Sequence, residues 1–392
     1  MTTSLGAFIA GAADVKADHH WESSAGDLAL EVAGGLLAGP AGAKIDAVFV
    51  AAPVGEQAAL APVLVDRLGL AGQVSVYQLE SGDGSGAAAL HAAAVHVAAK
   101  QARCALVLGV AKVSDLAERE RGALLDALID RDAEAPLGLS YQALAGLLAD
   151  LYVTRHGLKP STFAHVIAKN AANAVLGGET FLPHAPSALE LVRDIQVAPP
   201  LVRSDFAPLL DGATAVLVCE GGLARELTPA PVEILSIAGA SDITVISDRP
   251  DPLALLAAER AGRAALARAG VASVEALAYV DVSSACTVLE VLALEALGIT
   301  PRGQTGALCK DGFGRVAHAR VVNPSGGAQG RGLALGTCGV AQAREAFLQL
   351  GGGAGKRQAA AALAPAARAL AVGLTGLGSA AHATVFARTV QS

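Results

Sequence analysis

Aromatic and charged side chains are scarce in this chain of 392 residues. Aromatic residues make up 3% of it and charged residues 17%, and the formal net charge is −7. There is one tryptophan, and no long basic run or basic face with interleaved aromatics. Proteins that bind nucleic acids place such basic surfaces against phosphates and aromatic rings against bases. The composition therefore argues against a nucleic-acid partner.

Long uninterrupted hydrophobic runs are also missing, although 53% of the residues are hydrophobic and the mean hydropathy is +0.48. The stretch at 87–99 is among the longest, and His91 and His96 interrupt it. It is shorter than the about 20 residues that a membrane-spanning helix needs. Residues 1–11 have no basic segment of the kind that opens a secretory signal. We therefore expect no membrane span and a cytoplasmic protein.

The five cysteines are widely spaced, with no CxxC pair and none before Cys104. This pattern is typical neither of zinc ligands nor of a disulfide framework, and we predict no metal site. Cys104 and Cys219 lie in short apolar runs that are typical of buried strands. A free cysteine in such a run is expected to behave as a small hydrophobic residue.

The chain is rich in alanine and valine and has 44 glycines, and its short apolar runs alternate with helical segments. This alternation occurs twice and predicts parallel strands covered by helices, in two similar lobes. The segment at about 114–200 is more polar and punctuated by prolines, which predicts an inserted loop domain. We therefore predict an N-terminal lobe at 1–229, which contains the insert, and a C-terminal lobe at 230–392.

Four short motifs follow one another in an order found in one protein family. They are 109–115 (Gly-Val-Ala-Lys-Val-Ser-Asp), 161–170 (from Ser-Thr to Lys-Asn), 211–213 (Asp-Gly-Ala) and 322–327 (Val-Asn-Pro-Ser-Gly-Gly). With these motifs the chain resembles the thiolase family over essentially its whole length, most closely the sterol-carrier-protein type of thiolase. The resemblance implies an α/β fold of two similar βαβαβαββ lobes in a five-layered αβαβα arrangement, with the loop domain inserted in the first.

The resemblance also indicates where a thiolase carries its reactive groups, and most of these positions are altered. Asp83 stands at the nucleophilic cysteine, and Leu333 at the histidine of the Gly-His-Pro turn. Ser283 replaces the histidine of the His-Asp-Cys-Phe-Thr segment, Ala171 replaces the loop-domain histidine, and the final glycine loop around Gly376 has no cysteine. Because nucleophile and base are both lost, we expect no ordinary thiolase activity.

Two of three open hypotheses give Asp83 no chemical role. In the first, the chain is a non-catalytic homologue that binds acyl-CoA or completes a complex with an active thiolase or a zinc-ribbon/OB-fold protein. In the second, a displaced cysteine, Cys286 or Cys338, restores thiolase chemistry. Asp83 would then have no chemical role, and its type is equally typical of an N-cap of the helix that follows.

The third hypothesis is different chemistry, as an acyl-CoA C-acyltransferase or a retro-aldolase of β-hydroxyacyl-CoA. Asp83 would be the base, and the N–H groups around Gly376 and Gly378 would hold the oxyanion. Ser85, Ser283 and Ser284 are candidates for further hydrogen bonds. Some thiolase-like proteins that work with a small zinc-ribbon and OB-fold partner are aldolases of this kind.

The resemblance implies coenzyme A, as an acyl thioester, for ligand or substrate, with no covalently bound cofactor. We expect its phosphates near the cationic side chains of Arg155 and Lys169, and further substrate contacts at Asn323 and Gly378. In thiolases an edge strand of the first lobe pairs across a two-fold axis, and residues 74–79 correspond to it. We therefore expect a homodimer or a heteromer.

Overall fold

The computed structural model describes residues 4–52, 59–283 and 285–389. Within these ranges it contains twelve strands and thirteen α-helices. The strands are β1 (Ala7–Asp18), β2 (Ala47–Ala51), β3 (Ser75–Leu79), β4 (Cys104–Ala111), β5 (Gln196–Ala198), β6 (Leu201–Val202), β7 (Asp211–Glu220), β8 (Val232–Ser241), β9 (Tyr279–Ser283), β10 (Val321–Val322), β11 (Arg368–Thr375) and β12 (Ala380–Arg388). The helices are α1 (Ala25–Ala38), α2 (Leu60–Arg67), α3 (Ser85–Ala98), α4 (Glu118–Asp126), α5 (Tyr141–His156), α6 (Thr162–Gly177), α7 (Ala188–Leu191), α8 (Gly221–Leu227), α9 (Leu256–Arg268), α10 (Thr287–Ala296), α11 (Thr305–Lys310), α12 (Gly327–Arg331) and α13 (Cys338–Gly351). None of these helices is long and apolar enough to cross a membrane.

Ten strands form one mixed sheet, in the order β10-β9-β11-β12-β8-β1-β7-β4-β2-β3. Each half of this sheet has five strands. Numbered in chain order within their half, they are arranged 3-2-4-5-1, and both halves have the same sequence of parallel and antiparallel neighbours. The halves join where β1 pairs with β8 over three residues, 7–9 against 232–234. The repeated order confirms the two similar lobes that the sequence predicts.

Two helices, α3 and α13, lie between the halves of the sheet, and their buried side chains form one core with strands of both. Their N-terminal ends touch, since a Cβ on Gly339 would lie 2.1 Å from the Ala87 nitrogen and one on Gly86 would lie 2.9 Å from the Gly336 oxygen. Glycine alone permits this approach. Helices α1 and α2 cover the outer face of the first half, and α9 and α10 that of the second, which completes five layers.

The segment between β4 and β7 carries α4 to α7 and the short hairpin of β5 and β6. Its buried residues, such as Tyr141 and Phe163, share one core with α10 and with Cys286, Leu333 and Leu374 of the second lobe. The insert therefore covers the loops that the resemblance associates with catalysis. The boundary predicted at residues 229 and 230 falls between α8 and β8.

One predicted element begins in the wrong place. The sequence of residues 332–349 predicts a helix opened by Gly332, but the helix begins at Cys338, because Gly332 has φ 97° and the chain forms an extended turn there instead. This turn places Leu333 in a bridge with Leu209.

Substituting Gly339→Ala should destabilise the protein, because the new methyl group would overlap the backbone at Ala87. We expect the free energy of unfolding to fall by about 1–3 kcal/mol, as for other overpacked positions. Gly34→Ala is the matched control, since a Cβ there meets nothing within 4 Å and α1 should gain roughly 0.5–1 kcal/mol. Urea denaturation of both variants measures this, and equal effects would contradict the proposed helix contact.

Candidate active site

Asp83 lies in a short turn, Gly82–Gly84, that leads into α3. Its side chain is buried, with 2% of the residue exposed. Oδ1 accepts a hydrogen bond of 2.8 Å from the N–H of Gly376, in the glycine loop after β11. The N-cap of α3 is Gly84, which makes no side-chain cap bond. The interpretation of Asp83 as an N-cap is therefore wrong, and its carboxyl links the two lobes instead.

Opposing effects set the charge of this carboxyl. Burial raises the pKa of Asp83 to about 7, although hydrogen bonds from the backbone N–H groups of Gly376, Asp83 and Gly84 lower it. Since the resulting pKa lies well above the ordinary value of about 3.9 for an aspartate, the cost of desolvating the carboxylate exceeds its stabilisation by these donors. A carboxyl that titrates near neutrality is suited to accept or donate a proton.

Both N–H groups expected to hold an oxyanion already have acceptors. The Gly376 N–H donates to Asp83, and the Gly378 N–H donates to the Thr375 carbonyl at 3.0 Å. An oxyanion therefore reaches the Gly376 donor only if the Asp83 carboxyl first moves away. These two hydrogen bonds argue against a preformed oxyanion hole in the glycine loop.

The serines near Asp83 serve the local structure. The Ser85 hydroxyl donates to the Gly82 carbonyl and accepts from the Ser81 N–H, each at 2.7 Å. Ser283 is buried and hydrogen-bonds the Cys338 thiol. Ser284, the third candidate donor, lies outside the described residues.

Leu333 is fully buried in the core shared with the insert. Its N–H donates to the Pro208 carbonyl at 2.8 Å, and its own carbonyl accepts from the Leu210 N–H at 3.1 Å. These bonds hold the turn in place. An aliphatic side chain thus fills the position at which the resemblance implies a base, and it has no group that could carry a proton.

The two cysteines near the site are poor nucleophiles. Cys286 and Cys338 are both buried, and burial raises the pKa of each thiol to about 12. At neutral pH both remain protonated, whereas nucleophilic attack requires the thiolate. The burial of both thiols therefore argues against the hypothesis that a displaced cysteine restores thiolase chemistry.

Tyr141 is a polar residue at the site that the sequence analysis missed. It begins α5 in the insert, is fully buried, and its hydroxyl donates to the Cys286 sulfur at 3.8 Å. Burial, followed by the charges of Cys286 and Asp83, raises the pKa of Tyr141 well above its ordinary value, so the hydroxyl remains a donor. The only sequence signal is Ser140, which caps α5 and so sets where the tyrosine lies. It does not reveal that the side chain points towards Cys286.

The residues predicted to contact coenzyme A are dispersed. Lys169 is fully buried, and its ammonium pairs with Glu290 at 2.6 Å. This geometry does not place Lys169 beside a phosphate at the surface, because the charge is enclosed and already neutralised. Arg155 is partly exposed and pairs with Asp251 at 2.6 Å. Asn323 is buried, where its Oδ1 accepts the N–H of residue 282 at 2.7 Å.

A polar cavity of about 30 Å³ lies beside Ser283 and Cys338. Its wall includes Arg331, which pairs with Asp14 at 2.7 Å, and Asp281, whose pKa burial raises to about 7. This volume accommodates roughly one or two water molecules.

The contribution of Asp83 to stability should fall as the pH rises, because folded Asp83 keeps a proton that the unfolded chain loses above about pH 4. Because the pKa of Asp83 in the folded protein is about 7, the decrease in the free energy of unfolding extends from about pH 4 to neutrality. Between about pH 5 and 8 it should reach at most about 2–3 kcal/mol. Asp83→Asn cannot titrate and should flatten this dependence in part, since Asp281 contributes in the same direction.

Denaturation with urea across this pH range measures the effect. Asp132→Asn, at an exposed position, is the control and should leave the slope unchanged. The same slope in Asp83→Asn and in the unaltered protein would contradict the raised pKa of Asp83.

Similarity to known proteins extends over the whole chain. A family model described as thiolase C-terminal domain-like matches residues 238–388. An acetyl-CoA acetyltransferase of Methanothermobacter thermautotrophicus is 30% identical over 356 residues, which are 89% of this chain and 92% of that protein. Sterol carrier protein 2 of Rattus norvegicus is 27% identical over 338 residues, which are 81% of this chain and 59% of that longer protein.

Two solved structures share the fold at low sequence identity. The structure of an Ltp2-ChsH2(DUF35) aldolase has a TM-score of 0.85 at 18% identity and covers 100% of both chains. Human mitochondrial 3-ketoacyl-CoA thiolase in complex with CoA has a TM-score of 0.72 at 15% identity, again over 100% of both chains. Since the match to the acetyltransferase also spans nearly all of both sequences, the chain belongs to the thiolase family and is similar to its sterol-carrier-protein-type members.

Proposed function

We propose that this chain is a thiolase-fold subunit that binds acyl-CoA without carrying out thiolysis, and that works with an active thiolase or a zinc-ribbon/OB-fold protein. One observation carries the proposal. The carboxyl at the nucleophile's position hydrogen-bonds the Gly376 N–H at 2.8 Å, which closes the two groups on each other. Whether charged or neutral, the Asp83 carboxyl in this position is bonded to the Gly376 N–H, so neither group faces a substrate.

The chemistry of the replacements supports the same conclusion. An acyl group transferred from a thioester to a carboxylate would form a mixed anhydride, which is more reactive than the thioester and so unfavourable to form. Leu333 cannot remove a proton from an attacking group. A thiolase mechanism therefore has neither its covalent intermediate nor its base.

The binding part of the proposal rests on relatives. One relative is an acetyl-CoA acetyltransferase, and one structural neighbour is a thiolase with CoA bound. The partner part rests on the neighbour whose name pairs an aldolase with a DUF35 protein. The edge strand β3 supports an assembly, since four of its five residues are exposed, including Val76 and Tyr77. Exposed edge strands commonly pair with another chain.

Acetyl-CoA should bind to the purified chain without leaving an acyl group on it. Isothermal titration with CoA and acetyl-CoA measures binding, and intact-mass analysis after incubation with acetyl-CoA detects any adduct. We expect saturable binding, no adduct, and no thiolysis of acetoacetyl-CoA above the uncatalysed rate.

Two outcomes would contradict this expectation. No binding at millimolar ligand would remove the acyl-CoA role altogether. An acetyl adduct on Cys286 or Cys338 would instead establish the displaced-cysteine mechanism. Because burial raises the pKa of both thiols to about 12, this second outcome is not expected.

A second candidate function, retro-aldol cleavage of a β-hydroxyacyl-CoA, is favoured by the pKa of Asp83, which burial raises to about 7. Asp83 as carboxylate would take the proton of the β-hydroxyl, the bond between the α- and β-carbons would break, and a carbonyl product and the thioester enolate would result. Moving the carboxylate towards the substrate would free the Gly376 N–H for the enolate oxygen. The Tyr141 hydroxyl, which donates to the Cys286 sulfur in this structure, would be a second hydrogen-bond donor for the substrate at this site.

This candidate predicts a pH dependence in the native complex of the chain with its partner. Cleavage should increase through about pH 7, as the carboxylate forms, and Asp83→Asn should lower the rate by about 10²–10⁴-fold. Tyr141→Phe should also lower it, whereas Tyr279→Phe, at an equally buried tyrosine in β9, should not. Absence of cleavage in a complex that binds CoA would favour the non-catalytic role.

A further inference from the structure

The two cysteines that the sequence analysis treated as separate hydrophobic residues lie against each other. Cys104 at the start of β4 and Cys219 near the end of β7 are direct partners across the antiparallel pair. Their Sγ atoms are 3.0 Å apart, and both residues have 0% exposure. This separation is shorter than the normal contact of two non-bonded sulfur atoms and longer than a disulfide bond.

The backbone at this position has the geometry that a cross-strand bond needs. The Glu220 N–H donates to the Arg103 carbonyl at 2.9 Å, so the hydrogen bonds flank the cysteine pair rather than join it. Partners in such a non-hydrogen-bonded position have Cα atoms about 4.5 Å apart. Disulfides span Cα separations of about 4.4–6.8 Å, so a cross-strand pair in this position is compatible with the bond.

The sulfurs of the reduced pair are crowded at 3.0 Å, and forming the bond relieves this contact. The hydrogen bond with Cys104 and burial raise the pKa of the Cys219 thiol far above its ordinary value, so the enclosed thiol does not ionise. Because an oxidant reacts with the thiolate, oxidation requires that the pair first be exposed to solvent.

The pair lies one residue from the surface. Arg103 and Glu220, the neighbours of the two cysteines in the chain, form an exposed ion pair at 2.7 Å. Opening of this end of the sheet would therefore expose the thiols without unfolding the rest of the lobe.

We propose that Cys104 and Cys219 form a reversible disulfide that closes across β4 and β7 under oxidising conditions. With hydrogen peroxide, both thiols lose their hydrogen, one S–S bond forms, and the O–O bond is reduced to give two waters. A dithiol reductant reverses the reaction. The proposal concerns a site remote from Asp83 and is independent of the proposed function.

Closing the bond would tie together the two strands from which the insert emerges. The covalent loop runs from residue 104 to residue 219 and contains all of α4 to α7. Long loops lose much conformational entropy in the unfolded state when they are closed, so the folded state gains stability. We expect the melting temperature to rise by roughly 5 °C.

Mapping the disulfide tests the proposal on the whole chain. Protein reduced with dithiothreitol and then exposed to hydrogen peroxide is denatured in excess iodoacetamide and analysed by intact mass. We expect five alkylated cysteines before oxidation and three after it, since the chain has five and two would be joined. Proteolysis should give one linked peptide pair containing Cys104 and Cys219, and the melting temperature should rise and return with dithiothreitol.

Variants separate this pair from the other thiols. Cys219→Ala should abolish both the linked peptides and the thermal shift, whereas Cys309→Ala, at another buried cysteine, should retain them. Five alkylated cysteines after oxidation, or a bond that joins any other pair, would overturn the proposal. Because the mapping uses the unaltered protein, it remains decisive even if Cys219→Ala does not fold.

Discussion

The contact between the N-terminal ends of α3 and α13 determines where the rest of the site lies. Neither Gly86 nor Gly339 can carry a Cβ without overlapping the opposite backbone. Gly336, in the turn before α13, packs against Gly109 of β4 in the same way, with 2.5 Å between a Cβ built on Gly109 and the Gly336 oxygen. Because backbone meets backbone here, Asp83 and Cys338, one at the start of each helix, cannot be moved independently. The glycines thus preserve the thiolase frame even where its reactive groups are gone.

Within this frame Asp83 has a partner in the other lobe. Its carboxyl bonds the Gly376 N–H, which couples the start of α3 in one lobe to the loop after β11 in the other. Leu333 and Tyr141 fill the adjoining space as part of a continuous core with the insert. The surroundings of Asp83 are thereby packed like a protein interior, which explains why burial dominates its pKa.

The backbone could be predicted from the sequence far better than the partners of its side chains. Alternating apolar runs and glycine-rich motifs indicate strands, helices and turns, and so locate Asp83 and Leu333 correctly in the fold. They do not show that Asp83 bonds Gly376, which is 293 positions away, or that Glu290 neutralises Lys169. Tyr141 was missed for the same reason, since its role depends on a contact with Cys286. The sequence places the start of α13 too early, at Gly332. This glycine has a positive φ, which ends the preceding helix, and α13 begins only at Cys338.

The repeated 3-2-4-5-1 strand order makes α3 and α13 equivalent members of their lobes, since each lies, in chain order, between the third and fourth strands of its lobe. Each helix presents the positive end of its dipole, equivalent to roughly half an elementary charge, and the two ends meet. Like charges brought together inside a protein repel, and a single anion between them relieves the repulsion of both. Asp83 lies in the turn before α3, and its charge acts on Cys338 at the start of α13. Above about pH 7, where its carboxyl ionises, Asp83 therefore supplies that anion, which gives a reason for an acid at this position.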